Sequence, residues 1–144
     1  MAKYYIKKHL KTLGDYPSGE GIHFSQRAFH MGERFATCAG FLLYEAVQGD
    51  RPGLQGAKCV YGYGHVVAGP KVAHEVRVVD GREYPFVVPI VIEKSLQDRT
   101  LGIPLTILRD QFGIQMRPTL GGLVEISEDV FKRMQEHIDE LTLM

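Results

Sequence analysis

The sequence predicts a mostly β domain of the α+β class, with five or six strands in an at least partly closed sheet and a few short helices. Aromatic and β-branched residues gather in several separate segments, which is the composition typical of strands. An Asp-Gly pair at 80–81 lies between two alternating apolar runs and is a strong hairpin signal. A length of 144 residues suits one core, and we expect a single domain over residues 1–144.

The first strand is predicted at residues 3–6, which combine two tyrosines with an isoleucine. Residues 7–13 are too polar and too few to assign. Residues 12–25 are rich in Gly, Pro, Ser and Asp and predict a long loop, a feature that is often functional in compact domains. A buried strand is predicted at 34–45, after a turn at 31–33.

The next strand, residues 57–68, interleaves glycines with aromatic residues. Its alternation predicts that Tyr61, Tyr63 and His65 share one face, opposite Gly62 and Gly64. Glycine weakens a strand unless a bulge or a close backbone approach requires it. The pattern therefore indicates either a bend in a barrel or the floor of a site.

The hairpin joins a strand at 72–79 to a second run at 84–93, in which two prolines indicate an edge or bulges. A helix is predicted at 104–112, because proline suits the first helical position and Gly113 the end. Ser127 is the predicted N-cap of a final amphipathic helix with acidic residues in its first turn.

The net charge is zero, from 17 basic and 17 acidic residues, which argues against strong non-specific binding to duplex. The charges are unevenly placed. Residues 1–34 hold six Lys and Arg against three acids, and residues 125–144 hold six acids against two bases. A basic N-terminal face is suited to phosphate, and a solvated charge pattern without a partner is the alternative.

Cysteine content and hydropathy predict a cytoplasmic protein without a membrane span. Cys38 and Cys59 lack any metal-ligand spacing and are interpreted as buried, reduced side chains. No apolar run approaches the roughly 18 residues of a spanning helix, and the N-terminus lacks the apolar core of a signal peptide. The six histidines show no HExxH motif or close pair, so we expect neither a metal nor another cofactor.

The order of motifs resembles the EVE domain of the PUA-like superfamily along nearly the whole chain. The resemblance is carried by an opening aromatic pair, a strand of the GD/GE type, a glycine-rich strand, a G-I-P-L helix motif and a closing R-x-x-x-G-G-x-x-E-I strand. The corresponding residues are Tyr4-Tyr5, Gly32-Glu33-Arg34-Phe35 with Leu43-Tyr44, Gly56–Val67, Gly102-Ile103-Pro104-Leu105 with Leu108-Arg109, and Arg117, Gly121, Gly122, Glu125 and Ile126.

This resemblance implies a PUA-like partly closed β-barrel that takes one flipped, modified base into an aromatic-lined pocket. The partner would be DNA or RNA with a modified or unstacked base, and partner proteins of a defence system are also implied. The chain has no tryptophan, which EVE domains normally have, so its cage must use Tyr, Phe or His. Residues 23–27 occupy the loop position where the family has a W-x-G-x-R-N motif.

Such a base needs flat aromatic surfaces for stacking and polar groups for hydrogen bonds to its edge. We chose the candidate site residues on these two grounds. The base-pocket candidates are Tyr5, Phe24, Ser25, Gln26, Tyr61, Tyr63 and His65, and the phosphate-binding candidates are Lys7, Arg27 and Arg117. For each aromatic residue a place in the core is the alternative.

Two other functions are open at this point. One is an RNA-binding accessory domain, which would use contacts to the 2′-hydroxyl. The other is a small hydrolase of modified nucleosides, like the related ASCH group, in which a lysine, a threonine and a glutamate act together. Lys58 or Lys94, Thr119 and Glu125 are the residues available for that role. A non-catalytic binding domain is the preferred interpretation.

Overall fold

A computed structural model describes residues 2–11, 16–49, 52–79, 81–116 and 122–143. Within these residues the chain forms nine strands and three α-helices. In order they are β1 (Tyr4–Lys11), β2 (Ile22–Phe24), α1 (Phe29–Ala36), β3 (Gly40–Gly49), β4 (Cys59–Val66), β5 (Lys71–Val79), β6 (Arg82–Val88), β7 (Ile90–Ser95), a 3₁₀ turn (Arg99–Leu101), β8 (Ile103–Pro104), α2 (Leu105–Phe112), β9 (Leu123–Ile126) and α3 (Glu128–Thr142).

The strands form two sheets. The larger has the order β7-β4-β3-β1-β9, with β8 paired to β4, and the smaller has the order β2-β6-β5. The pair β1 and β3 is parallel and the other pairs are antiparallel. The predicted mostly β, α+β fold is confirmed, but the described residues form nine strands rather than five or six, and their pairings do not close either sheet into a barrel.

The two faces of the larger sheet pack against different partners. Tyr4 of β1 meets Phe131 of α3 with ring centroids 4.6 Å apart. Phe41 of β3 projects to the other face, where its ring lies 5.0 Å from that of Phe35 on α1. Phe35 also contacts Phe24 of β2, at 5.8 Å, and so joins the two sheets.

Local signals located the hairpin and the later helices correctly. Val79 of β5 pairs with Arg82 of β6, and Gly81 has the positive φ of 74° that such a tight turn requires. Helix α2 ends at Gly113, which adopts the left-handed conformation. The Ser127 hydroxyl accepts a hydrogen bond from the Val130 N–H at 3.1 Å, so the predicted N-cap of α3 is confirmed.

Three other predictions need correction. Residues 29–36 are helical, and the strand predicted from 34 begins at Gly40, because the apolar run combines the buried side of α1 with β3. Strand β1 continues to Lys11, because residues 7–11 continue the pairing with β3 and the side chains of Lys7 and His9 are buried. The run at 84–93 is divided at Pro89, so that β6 belongs to the smaller sheet and β7 to the larger.

Cys38 and Cys59 are both buried free thiols, in agreement with their predicted state. Burial raises the pKa of Cys38 to about 11. Among the described helices, none is both long enough and apolar enough to cross a bilayer.

Candidate functional site

A cavity of about 320 Å³ lies where the first strand of the larger sheet faces the smaller sheet. This volume is within the range of small-ligand sites. Segments far apart in the chain contribute to its wall, which is formed by Lys7, Lys8, His9, Leu10, Tyr16, His23, Phe24, Ser25, Ala28, Arg77, Val79, Arg82, Tyr84 and Gly122.

Lys7 is a buried cation in this wall, with only 7% of its surface exposed. Its Nζ donates to the Lys8 carbonyl oxygen at 2.9 Å and lies 5.5 Å from the centroid of the Phe24 ring. A Cβ added to Gly122 would lie 3.0 Å from the same nitrogen. Burial lowers the pKa of Lys7 from 10.5 to about 8. Within the described residues, no carboxylate forms an ion pair with it.

His9 is held as a neutral imidazole at the inner end of the cavity. Its Nδ1 lies 2.8 Å from the Leu10 carbonyl oxygen, which can only accept, so Nδ1 carries the proton. Its Nε2 therefore accepts from the Tyr61 hydroxyl at 2.8 Å. Burial lowers the pKa of His9 to about 3, and its ring stacks on Tyr16 at 3.8 Å with an interplanar angle of 15°.

A partly buried ion pair contacts Tyr61. The Arg99 guanidinium lies 4.2 Å from the centroid of the Tyr61 ring and donates to Glu45 through Nη1. Its Nη2 donates to the Tyr16 carbonyl oxygen at 3.2 Å. Burial raises the pKa of Tyr61, so the hydroxyl stays protonated and remains a donor to His9. This network fixes the aromatic wall in one orientation.

The charged side chains among the described lining residues are all cations. Arg77 and Arg82 come from the β5–β6 hairpin, and the Arg77 guanidinium lies 5.8 Å from the centroid of the Tyr16 ring. Among the described lining residues there is no carboxylate. The nearby Glu20 accepts from the His74 N–H at 2.8 Å and lies 3.8 Å from His23. The cavity is therefore electropositive and suited to an electron-rich ligand.

Of the residues predicted from sequence, Lys7, Phe24 and Ser25 line this cavity together. Tyr61 is not a lining residue, but its hydroxyl bonds to His9, which lines the cavity. Gln26 and Arg27 follow in the same loop but are exposed and lie outside the wall, as does buried Tyr5. Arg117 lies outside the described residues. The assignment of these residues to base or phosphate stays a prediction.

Tyr61 and Tyr63 do not share a face, in contrast to the predicted alternation. The register of β3 and β4 shifts between Leu43 and Tyr44, which leaves Tyr61 as the extra residue of a β-bulge. Tyr61 therefore points to His9, whereas Tyr63 points to α3 and donates to Asp139 Oδ1 at 2.6 Å. The bulge reverses the side-chain direction between them.

His65 and two of the proposed hydrolase residues, Lys94 and Glu125, lie in ion pairs away from the cavity. His65 Nδ1 lies 2.7 Å from Glu93, and both side chains are exposed. Lys94 pairs with Asp139 at 3.0 Å, and Glu125 pairs with Lys3 at 3.4 Å. Lys58 is exposed, with a positive φ of 57°. Thr119 is outside the described residues.

Sequence reasoning missed six residues with functional side chains in the wall: His9, Tyr16, His23, Arg77, Arg82 and Tyr84. The hairpin residues had a usable signal, because Arg77 and Tyr84 are direct cross-strand partners in a hairpin that the sequence predicts. Nothing in the sequence indicated which sheet that hairpin faces. Across the described part of the chain, no group of three or more His, Cys, Asp or Glu side chains is placed to hold a metal ion.

The crystal structure of the MmI1 YTH domain is similar to this chain in fold. The two align with a TM-score of 0.57 and 12% sequence identity, over 99% of this chain and 98% of the other. No protein-family model and no curated protein matches the sequence. At 12% identity the likeness shows the fold alone, and the resemblance to EVE domains stays a prediction.

Proposed function

We propose that this protein is a nucleic-acid-binding module that accommodates an unstacked, modified base, with RNA as the nucleic acid. The observation that carries the proposal is the cavity itself, which is lined by fixed aromatic rings and by cations that have no carboxylate beside them in the described part of the wall. A base outside its stack requires flat π surfaces and hydrogen bonds to its edge. The nucleic-acid backbone requires positive charge.

The fold likeness supports RNA as the ligand. A YTH-like fold favours a reader of RNA with a modified base, and neither this likeness nor the cavity supports DNA or a partner from a defence system. The partly closed PUA-like barrel and the EVE assignment belong to the same proposal, since they depend on the resemblance of the motifs. The hydrolase alternative has no observation in its favour.

Binding to short single-stranded RNAs tests this function. We expect a labelled RNA with one methylated base to bind more tightly than the same RNA without the methyl group, as measured by fluorescence anisotropy. An Arg77→Ala variant should bind about 10-fold more weakly, because it loses a charge-assisted contact. Lys132→Ala is the matched control, since this exposed lysine on α3 pairs only with Glu128 among the described residues.

Each negative outcome has a defined meaning. If none of a panel of methylated RNAs and DNAs binds, the nucleic-acid function is wrong. If binding depends on Arg77 but every methylated oligonucleotide binds like its unmodified counterpart, the preference for modification is wrong. Equal losses for Arg77→Ala and Lys132→Ala would place the contact outside the cavity.

A further inference from the structure

Lys7 has hydrogen-bonding capacity that the described residues do not use. An ammonium group has three N–H donors, and one of them is bonded to the Lys8 carbonyl oxygen. The ammonium lies 5.5 Å from the centroid of the Phe24 ring and 3.0 Å from where a Cβ of Gly122 would be, and both residues line the cavity. Two donors therefore border the interior of the site, although the residue is 93% buried. Two N–H donors of a buried ammonium without an acceptor carry a cost, which a ligand that accepts hydrogen bonds would relieve.

Few side chains among the described residues can accept a hydrogen bond from Lys7. Ser25 Oγ already accepts from the Ala28 N–H at 3.2 Å. The His9 nitrogens are both bonded, one to a carbonyl oxygen and one to the Tyr61 hydroxyl. The other charged lining side chains are guanidinium and ammonium groups, which only donate. Donors therefore outnumber free acceptors among the described lining side chains, which favours a ligand edge with hydrogen-bond acceptors over one with amino groups.

Nucleobases differ in this respect. Guanine presents O6 and N7 as adjacent acceptors, and lysine donates to both in known recognition geometry. Adenine replaces O6 with an amino donor, which would face the Lys7 ammonium as a second donor without an acceptor. Leaving such buried groups unpaired is costly.

We propose that Lys7 is a specificity-determining residue, which donates to the O6 and N7 acceptors of a guanine-type base in the cavity. This inference rests on the proposed function, because it requires an unstacked base to enter the site. Beyond that function, it specifies which edge of the base the protein recognises. Any modification of the base would then lie on atoms other than O6 and N7.

A series of RNAs with one variable unpaired position tests the inference in the wild-type protein. The bases are guanine, inosine, 7-deazaguanine, 2-aminopurine and adenine. Inosine keeps O6 and N7, 7-deazaguanine lacks N7, 2-aminopurine lacks O6, and adenine has an amino group in its place. We expect guanine and inosine to bind alike, and adenine to bind about 10-fold more weakly, since a bidentate pair discriminates on this scale. The two single-acceptor analogues should lie between them.

A Lys7→Met variant provides the matching protein change, because it keeps an unbranched side chain and removes the donors. It should bind guanine and adenine RNAs equally, whereas Lys132→Met should keep the wild-type ratio. The wild-type series decides the question even if Lys7→Met fails to fold.

The inference fails if adenine binds as well as guanine, or if 7-deazaguanine and 2-aminopurine both bind like guanine. It also fails if inosine binds as weakly as adenine, because recognition would then depend on the 2-amino group. In each of these cases the protein still binds RNA, and the proposed function stands. If no RNA in the series binds and the methylated panel also fails, both proposals are wrong.

Discussion

Lys7 lies at a position on β1 where the period of the strand directs its side chain into the protein. Its ammonium is compensated by one carbonyl oxygen and the face of one aromatic ring. Such partial compensation is weaker than a carboxylate partner, and burial lowers the pKa of the group to about 8. Holding a partly compensated ammonium in the interior lowers the stability of the fold. Such a cost is expected of a residue that serves a ligand rather than the fold.

The pH dependence of stability reports this cost. The folded-state pKa of Lys7 is below its ordinary 10.5, so the unfolded chain binds more protons between about pH 8 and pH 10.5. The contribution of Lys7 to the free energy of unfolding therefore rises with pH in this window. We expect Lys7→Met to be more stable than the wild type at pH 7, and to lose this advantage toward pH 10.5. The change is at most roughly 3 kcal/mol.

Urea unfolding of both proteins from pH 7 to pH 10.5 measures the effect. The difference between the two proteins is the relevant quantity, since Cys38 and the buried tyrosines have raised pKa values and change the stability of both. His9 has a pKa of about 3 and does not titrate in this window. Parallel profiles across the range would contradict the buried-ammonium interpretation.

Strand β4 shows how an element is adapted to its neighbours. Its two central glycines permit β7 to approach closely. A Cβ at Gly62 would lie 2.7 Å from the Lys94 carbonyl oxygen, and a Cβ at Gly64 would overlap the Val91 carbonyl oxygen. Neither glycine lines the cavity. The sequence left open whether they mark a bend or the floor of a site, and in the structure they serve strand packing.

Substitution of Gly64 by alanine should therefore destabilise the fold. We expect Gly64→Ala to lower the free energy of unfolding by about 1–3 kcal/mol, because the new methyl group meets backbone that cannot move without breaking the β4–β7 pairing. Thermal unfolding and chemical denaturation measure this loss.

Gly69→Ala is the matched control for this substitution. A Cβ at Gly69 has no atom within 4 Å, and its φ is outside the positive range. It should leave stability unchanged or raise it by up to about 1 kcal/mol, through a less flexible unfolded chain. Equal effects at the two positions would show that glycine flexibility, rather than close packing, determines the result.

Elements with local signals were predictable, and elements defined by distant contacts were not. The Asp-Gly hairpin, Gly113 and Ser127 each have a conformational or capping role that residues a few positions away determine. Helix α1 has no side-chain cap hydrogen bond, and its identity depends on Phe35 packing between two sheets. The bulge at Tyr61 is likewise a property of the β3–β4 pair and is absent from the alternation of β4 alone.

At the scale of the whole molecule, the cavity is a product of how the two sheets face each other. Phe24 and Ser25 were identifiable as candidates because they lie in a polar loop, and Lys7 because it belongs to the basic N-terminal residues. Arg77 and Arg82 are seventy or more positions beyond Lys7, and only the orientation of the β5–β6 hairpin brings them to the same wall. No local pattern encodes that orientation, so the sequence could indicate the type of site but not its full composition.

The distribution of charge over the whole molecule predicts a weak salt dependence of RNA binding. The chain has no net charge, and beyond Lys7, which we assign to the base, the described part of the cavity wall has three cations that we expect to contact phosphate: Lys8, Arg77 and Arg82. Each phosphate contact on a single strand contributes about −0.7 to the slope of log K against log salt concentration, so three contacts give a slope of about −2.

Arg82→Ala should make the slope about 0.7 less negative, whereas Lys132→Ala should leave it unchanged. Anisotropy titrations over a range of salt concentrations measure both values. A slope several-fold steeper would mean that phosphates are bound by an extended basic surface outside the cavity, and the cavity would then contribute selectivity while the N-terminal basic residues contributed most of the affinity.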